Sequence, residues 1–527
     1  MRDKTAKKTR IILSVAIFAM LFSLAFTVGN AMYSSGSSSS LSNNPLHWVL
    51  LFLIVLAVSF LAVIFLFVID FEKHDGKLKK SRKLLLCLWL LFFICYIPCF
   101  IAYFPGIWSY DISTQIGEFG GNYTSHHPPL HTFLLEICTR LFSGDYSRSI
   151  PFYGICQMLF ISFAFAKSVC FMTEKRTPIW IVVISIMFYA LNPVLALFSF
   201  IPIKDVVCAG FFILLTVEIC KLITNPGNYL SSVRDMTRFV LLSLLFCLFR
   251  NNAVYALIVT AIIAFLVFKN HRVRSLLIFA VPVALYFFVS VFIFSALGIK
   301  KGSSAEMFSV PLQQISRVVC TDESSLTDYD KEEISKFLPY DSIKDKYNRR
   351  FADPIKDEFD NSYGIKPLVK EWFRLMPSHL TEYLDAFLDL HIPYWYPAAS
   401  AKDPVSGVLY IETNYRYLVS GPPFWNADLL PSVRDVYEDV ADYSAFEDLP
   451  QLLNPFALSF ALWFMLFCMF RLIASNICRG WFVICLPLMF FGTYLLGPVS
   501  NLRYIIPLVM QYPLFLAVSF APKHILS

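Results

Sequence analysis

The sequence predicts an all-α polytopic membrane protein with a soluble domain inserted before its last three helices. Of its 527 residues, 57% are apolar and 16% are charged, whereas soluble domains have about 45–50% apolar and about 25% charged residues. Apolar runs of about 20 residues recur along most of the chain, and each can cross a bilayer as a helix. This composition excludes a soluble enzyme, a fibre, a disordered chain and a disulfide-linked secreted domain.

Twelve apolar segments are the predicted transmembrane helices. They cover residues 11–31, 47–71, 84–104, 150–172, 178–200, 206–224, 239–249, 252–268, 275–297, 453–474, 481–497 and 504–520. If consecutive helices alternate in direction, 21 Lys and Arg residues fall on one side of the membrane, and five lie in the short loops opposite. Because cytoplasmic loops are rich in Lys and Arg, we expect a multi-pass cell-membrane protein with both termini in the cytoplasm.

One predicted turn rests on a single charged residue. The stretch 239–268 is apolar except for Arg250, Asn251 and Asn252 at its centre. As one span it would place Arg250 at mid-bilayer, at a cost of roughly 2.5–3.5 kcal/mol. Two short half-spans that turn at Arg250 avoid this cost, although the first is too short to cross unaided. We expect the pair of half-spans, with the single span as the alternative.

The apolar segments and the charge distribution together divide the chain into four regions. Residues 1–83 form two helices and a basic cytoplasmic loop, and residues 84–297 form a transmembrane module whose first outer loop is 104–149. Residues 298–452 form the extracytoplasmic soluble domain, and residues 453–527 form the last helices. The soluble domain holds 26 of the 38 acidic and 16 of the 44 basic residues. An acidic domain on a basic membrane body explains the net charge of +6 without a nucleic-acid partner.

The first outer loop holds the densest group of polar residues beside the membrane. Asp111 is followed within 20 residues by His126, His127 and His131. A carboxylate can act as a general base or bind a metal, and imidazoles can bind metals or carry protons. We predict that Asp111, His126 and His127 are catalytic, with Asp111 and His127 as the ligands if a divalent metal ion is used. The alternative is an ordinary surface loop in which Asp111 caps a helix.

Three further outer turns carry polar residues that a simple connection does not need. They are Lys204-Asp205, Arg250-Asn251 and Arg503-Tyr504. Three cations on the outer side oppose the usual charge bias, and such a set suits a bound phosphate or pyrophosphate at the lipid surface. We predict that all six residues bind substrate. Anchoring at the membrane interface and helix capping are the alternatives for each one.

These motifs together resemble those of a known enzyme superfamily. The elements are Phe104-Pro-Gly, Trp108-Ser-Tyr-Asp111 and His126-His-Pro128, with the three polar pairs further on. They resemble the GT-C superfamily of integral-membrane glycosyltransferases, and most of all its bacterial branch DUF6020, over about 84–297 and 453–520. The soluble domain matches in position alone.

The resemblance implies a mechanism. The donor would be a sugar on a polyprenyl phosphate or diphosphate, and transfer would occur at the outer face. The acid of the first loop, here Asp111, would be the catalytic base or a metal ligand, and Lys204, Arg250 and Arg503 would hold the lipid phosphate. Many members carry a pair of acids in this loop, whereas Asp111 stands alone and Glu118 follows seven residues later. This departure leaves metal dependence open.

The sequence therefore predicts an inverting membrane glycosyltransferase that acts on a polysaccharide, lipid or protein acceptor of the cell envelope. One alternative is a lipid or sugar transporter or flippase, because twelve spans with a broken helix suit one. Another is a non-catalytic assembly protein that binds envelope polymers through its outer domain. Clustering of Asp111, Lys204, Arg250 and Arg503 around one outer cavity would favour the enzyme. A mid-bilayer cavity between two related halves would favour transport.

Overall fold

The computed structural model describes residues 2–68, 82–413, 424, 427–477 and 479–526. Within these residues all regular secondary structure is helical, and β-type hydrogen bonding is confined to isolated bridges. Most of the predicted basic loop between the second and third apolar segments lies outside the described residues.

The first half of the chain forms twelve principal helices. They are α1 (Arg2–Ser35), α2 (Pro45–Val68), α3 (Arg82–Ala102), α4 (Ile112–Gly117), α5 (Pro129–Leu141), α6 (Tyr146–Glu174), α7 (Ile179–Leu191), α8 (Pro193–Phe198), α9 (Lys204–Thr224), α10 (Val233–Phe249), α11 (Ala253–Val267) and α12 (Arg272–Phe288). Helix α12 continues through a π-helical turn, Val289–Ile293, into Phe294–Ala296.

Nine principal helices follow in the second half. They are α13 (Ser309–Thr321), α14 (Asp328–Ser335), α15 (Lys366–Leu375), α16 (Leu380–Leu390), α17 (Pro431–Ala441), α18 (Phe460–Ser475), α19 (Cys485–Tyr494), α20 (Leu502–Val509) and α21 (Tyr512–Phe520). Single helical turns occur at Ser40–Asn43, Pro226–Tyr229, Ile343–Lys346, Asp353–Lys356, Ile392–Trp395 and Pro522–Ile525. Short 3₁₀ segments occur at Lys269–His271, Ser304–Phe308, Glu323–Ser325, Tyr340–Ser342, Ser444–Phe446, Gln451–Leu453 and Gly480–Ile484.

Six helices in the described part of the chain are long and apolar enough to cross a membrane. A seventh crossing is added if the pair α20 and α21, bent by 41°, counts as one span. Each of the twelve predicted segments contains helix, but α7, α11 and α18 are shorter apolar helices, as is the unit formed by α19 and the 3₁₀ turn before it. The chain is therefore an all-α membrane protein, and the number of twelve crossings stays a prediction.

The stretch 239–268 is two helices with Arg250 between them. Helix α10 ends at Phe249, Arg250 is extended (φ −148°, ψ 102°), and α11 begins at Ala253. The backbone N–H of Arg250 donates to the Cys247 carbonyl at 3.2 Å, and that of Ala253 donates to the Arg250 carbonyl at 2.9 Å. The break at Arg250 agrees with the interpretation of two half-spans.

Helix α9 is the centre of the membrane body. It packs against α6, α10 and α20, and most of its residues are buried in the largest hydrophobic cluster. A helix enclosed in this way holds the residues at its ends in fixed positions. Lys204 and Asp205 form the first turn of α9, so their side chains project from a rigid support.

The acidic segment 298–452 has a hydrophobic cluster of its own and a buried charged contact with α1. The cluster is built around α13 and includes Leu312, Ile315 and Phe337. Elsewhere Arg350, 2% exposed, donates to Asp389 at 3.1 Å and to Asp403 at 2.8 Å.

The contact with α1 is made by the same guanidinium. It also donates to the backbone carbonyl of Tyr33 and lies 4.6 Å from the Tyr33 ring. Arg350 therefore joins the acidic segment to the end of the first helix.

Candidate active site

Asp111 lies directly before α4, at the position from which an aspartate usually caps a helix. Its side chain makes no capping hydrogen bond. Instead, Oδ2 accepts from the Lys204 ammonium at 2.5 Å and Oδ1 accepts from the Arg503 guanidinium at 2.9 Å. The capping alternative therefore does not hold, because the carboxylate faces two cations from α9 and α20.

The two cations decide the protonation state of Asp111. Burial alone would raise the pKa of this carboxyl group, but Arg503 and Lys204 outweigh burial and hold the pKa well below its usual range. Asp111 is thus ionised at neutral pH and has little affinity for a proton. In this state it is a strong electrostatic anchor for Lys204 and Arg503 and a weak general base.

His127 joins the same group. Its Nδ1 lies 3.0 Å from Lys204 Nζ and 3.6 Å from Asp111 Oδ2. An ammonium group can only donate, so Nδ1 accepts and carries no proton. Burial, followed by the charge of Lys204, lowers the pKa of His127 to about 2. The imidazole is therefore neutral at neutral pH.

We expect the substitution His127→Gln to make the fold less sensitive to acid. Below its ordinary pKa of about 6.5, His127 takes up a proton in the unfolded chain but not in the folded one. Its contribution to stability is therefore complete above that pH and falls as the pH decreases. One such proton costs about 1.4 kcal/mol of unfolding free energy per pH unit. Unfolding in detergent at roughly pH 6 and pH 5 measures this slope; an equal slope in both proteins would show that folded His127 is charged.

Beside Asp111, two arginines and three tyrosines form a group of cation–π contacts. The Arg503 guanidinium lies 5.0 Å from the Tyr110 ring and 4.9 Å from the Tyr504 ring. The Arg250 guanidinium lies 4.9 Å from Tyr504 and 5.6 Å from Tyr494. Cation–π attraction operates at these distances. Tyr504 therefore connects Arg250 with Arg503.

Arg250 is held by Asp205, its partner in the first turn of α9. The two side chains form an ion pair, and Asp205 is fully buried. The neighbouring Asn251 faces another way, and its amide donates to the Ser125 carbonyl at 3.2 Å. Arg250 thus belongs to the cationic group, whereas Asn251 supports the first outer loop.

Three buried side-chain atoms of these residues have no hydrogen-bond partner among the described residues. They are Oδ2 of Asp205, Nε of Arg503 and the hydroxyl oxygen of Tyr494. A buried polar group without a partner costs free energy unless water or a ligand satisfies it. Arg503 Nε therefore offers a donor to the oxygen of an anionic ligand.

Three helices begin at this group of residues: α9 at Lys204, α11 at Ala253 and α20 at Leu502. Free backbone N–H groups and the helix dipole make an N-terminus attractive to anions. A cation in the first turn is unfavourable for the helix itself, so helix stability does not explain Lys204 or Arg503 at these positions. The arrangement suits a ligand that carries a phosphate.

Asp111 and His127 do not fit a divalent metal ion in this arrangement. Among the residues with described positions, no group of three or more His, Cys, Asp or Glu side chains could hold a metal. The Lys204 ammonium contacts both predicted ligands. A metal ion beside it would also be repelled by Arg503.

The other two histidines of the loop have different surroundings. His126 is exposed, and its Nδ1 lies 4.0 Å from Glu306. His131 is fully buried, and its ring nitrogens lie 3.0 Å from Gln115 and 2.9 Å from the Tyr153 hydroxyl. The structure thus brings His127 to Asp111, while His126 faces the acidic segment and His131 supports the loop.

A contact that the sequence did not predict joins the first outer loop to the acidic segment. The backbone N–H of Tyr110 donates to Glu412 Oε2 at 3.2 Å, and the N–H of Glu412 donates to the Tyr110 hydroxyl at 2.9 Å. Tyr110 has a left-handed backbone (φ 54°), which a residue with a side chain adopts only with support. Nothing in the sequence distinguished Glu412 among the 26 acids of its segment.

The fold and this site define an all-α membrane protein in which three cations and two carboxylates are grouped at helix ends. A third carboxylate, Glu412, reaches the group from the acidic segment through Tyr110. The chain belongs to a family of unknown function, DUF6020, whose model matches residues 124–524. The matched region includes Lys204, Arg250, Glu412 and Arg503 but not Asp111. Neither a search of curated proteins nor a search of solved structures found a match.

Proposed function

We propose that this protein is a GT-C-type glycosyltransferase. It would move a sugar from a polyprenyl-phosphate lipid to a polysaccharide, lipid or protein acceptor of the cell envelope, with inversion at the anomeric carbon. The observation that carries the proposal is the convergence of Lys204, Arg250 and Arg503, held by Asp111 and Asp205, at the ends of helices. These residues come from three separate parts of the chain. Turns that only link one helix to the next would not need to bring their cations together.

The proposal includes a membrane topology. All twelve apolar segments cross the membrane of the cell, both termini are cytoplasmic, and residues 298–452 form an extracytoplasmic domain. The contact between Tyr110 and Glu412 supports this topology, because it joins the first outer loop to the acidic segment, and the topology puts both on the same side of the membrane. The group then lies at the outer surface, where a lipid-linked donor can reach it from the bilayer.

The chemistry follows from the charges. A lipid phosphate gains negative charge as the sugar leaves, and cations held in place before the reaction stabilise that charge. Lys204 and Arg503 supply the positive charge that stabilises the phosphate, and the unpaired Nε of Arg503 is an additional hydrogen-bond donor. Arg250, connected to Arg503 through Tyr504, extends the site to a second phosphate oxygen or a diphosphate.

The ion pairs of Asp111 favour a role other than that of the base. In the absence of donor, Asp111 holds Lys204 and Arg503 together against their mutual repulsion. The donor phosphate then shares these two cations with Asp111 and binds to a site that is already formed. Such preorganisation lowers the free energy needed to assemble the site during the reaction.

The first experiment is a transfer assay with membrane vesicles and radiolabelled polyprenyl-phosphate sugars. We expect wild type to incorporate sugar and Asp111→Asn to lose roughly 10²-fold or more of the rate. Asp145→Asn is the matched control, since Asp145 lies in the same loop but caps α6 through the Ser147 N–H at 2.9 Å. Equal rates in wild type and Asp111→Asn would remove Asp111 from the mechanism. No incorporation with any of several donor sugars would instead favour a transporter or an assembly protein.

A further inference from the structure

Glu412 is a third carboxylate of the site, and its surroundings differ from those of the other two. Asp111 and Asp205 are each bound to a cation. Within the described residues Glu412 forms no ion pair, and its Oε2 accepts from the Tyr110 N–H at 3.2 Å. Tyr110 directly precedes Asp111, and its ring lies 5.0 Å from the Arg503 guanidinium. Glu412 therefore reaches the site without being neutralised there.

The proton affinities of the two carboxylates near Tyr110 move in opposite directions. Burial raises the pKa of Glu412, and the Tyr110 N–H and Arg503 oppose this effect only in part. The pKa of Asp111 is held well below its usual range. When neighbouring acids diverge in this way, the one with the lower pKa stabilises charge and the one with the higher pKa exchanges protons.

We propose that Glu412 is the general base of the transfer, and that the acceptor binds between the first outer loop and the acidic segment. This inference rests on the proposed function. The acceptor hydroxyl oxygen forms a bond to the anomeric carbon, and the bond from that carbon to the phosphate oxygen breaks. The electron pair of the broken bond stays on the phosphate oxygen, and the hydroxyl proton moves to Glu412.

The charges balance within the site. The departing phosphate gains one negative charge beside Lys204 and Arg503, and the proton removes one negative charge from Glu412. The total charge of the site stays constant during the step, which limits the electrostatic cost in a poorly solvated place. Asp111 cannot do the same without giving up the negative charge that both cations pair with, and His127 Nδ1 already accepts from Lys204.

Glu412→Gln tests the role of the carboxylate with little change in shape, because the glutamine oxygen can still accept from the Tyr110 N–H. We expect a loss of roughly 10²–10⁴-fold in kcat with the KM for the polyprenyl-phosphate sugar nearly unchanged. Formate added to Glu412→Ala should restore part of the rate, since it can take the proton in place of the missing side chain. Glu447→Gln is the control: it removes a carboxylate of the same segment that pairs with Lys402 at 3.1 Å.

Each outcome decides one point. Loss of kcat in Glu412→Gln with rescue of Glu412→Ala by formate supports the base. A rate close to wild type in Glu412→Gln overturns it. Loss without rescue, together with weaker donor binding or a lower unfolding temperature, assigns Glu412 to positioning Tyr110 and also overturns it. If wild type itself transfers no sugar while its fold is intact, the proposed function fails, and the base assignment fails with it.

Discussion

Replacing Arg503 by alanine is expected to reduce the rate of sugar transfer by roughly 10²–10³-fold, the loss typical of removing one charged donor from a preorganised site. Arg503 contacts Asp111 at 2.9 Å and both Tyr110 and Tyr504 through its guanidinium. Its removal deletes a positive charge that stabilises the leaving phosphate. Asp111 then keeps Lys204 as its cationic partner. The assay is the same vesicle transfer reaction, with donor concentration varied to separate kcat from KM.

Arg503→Lys distinguishes charge from shape. A lysine keeps the positive charge but cannot donate from three nitrogens of a planar group, so we expect an intermediate rate. Arg434→Ala is the control because Arg434 also lies near a tyrosine, 5.6 Å from the Tyr103 ring, but its ion pairs are long at 3.9 Å. Equal losses in Arg503→Ala and Arg434→Ala would contradict a specific role for Arg503 in phosphate binding.

The second large effect is expected on stability. Asp205 is fully buried, and Arg250 is 9% exposed. Asp205→Asn removes the negative partner and leaves a guanidinium charge buried beside aromatic rings. Breaking a buried ion pair in this way costs about 3–5 kcal/mol of unfolding free energy. Equilibrium unfolding in mixed micelles would measure the difference from wild type.

Two comparisons make this measurement specific. The double variant Asp205→Asn with Arg250→Gln removes both charges and should recover part of the lost stability, because no buried charge is left unpaired. Lys344→Ala breaks an ion pair with Glu323 in which the Lys344 side chain is 54% exposed. Exposed pairs contribute about 0.2–1 kcal/mol. A loss of that small size in Asp205→Asn would show that the Arg250 charge is solvated.

The sequence predicted the positions of the helices well because apolar runs and charged interruptions act locally. Each apolar segment contains a helix, and the break at Arg250 followed from the cost of a charge inside the bilayer. The same local reasoning identified Lys204, Arg250 and Arg503 as cations in unusual places. The lengths of α7, α11 and α18 were not predictable in this way, because one hydrophobic segment can form either a short helix or a full membrane span.

The partners of the site residues were beyond what a single sequence shows. Glu412 meets Tyr110 across 302 positions of the chain, and no spacing or periodicity connects the two. The place of Lys204 between Asp111 and His127 was equally hidden, although it bears on the predicted metal site. Contacts of this kind depend on how helices pack in three dimensions. Sequence patterns record the residue types at helix ends but not which ends meet.

The buried contact of Arg350 bears on where this protein can be divided. Tyr33, whose carbonyl and ring hold the Arg350 guanidinium, precedes the region matched by the family model, residues 124–524. Arg317 reaches the same stretch of chain and donates to the Gly36 carbonyl at 2.5 Å. A fragment that begins at the family boundary would lack Asp111. Arg350 and Arg317 would also lose their contacts with Tyr33 and Gly36. The buried contacts of the acidic segment therefore extend beyond the region by which the family is recognised.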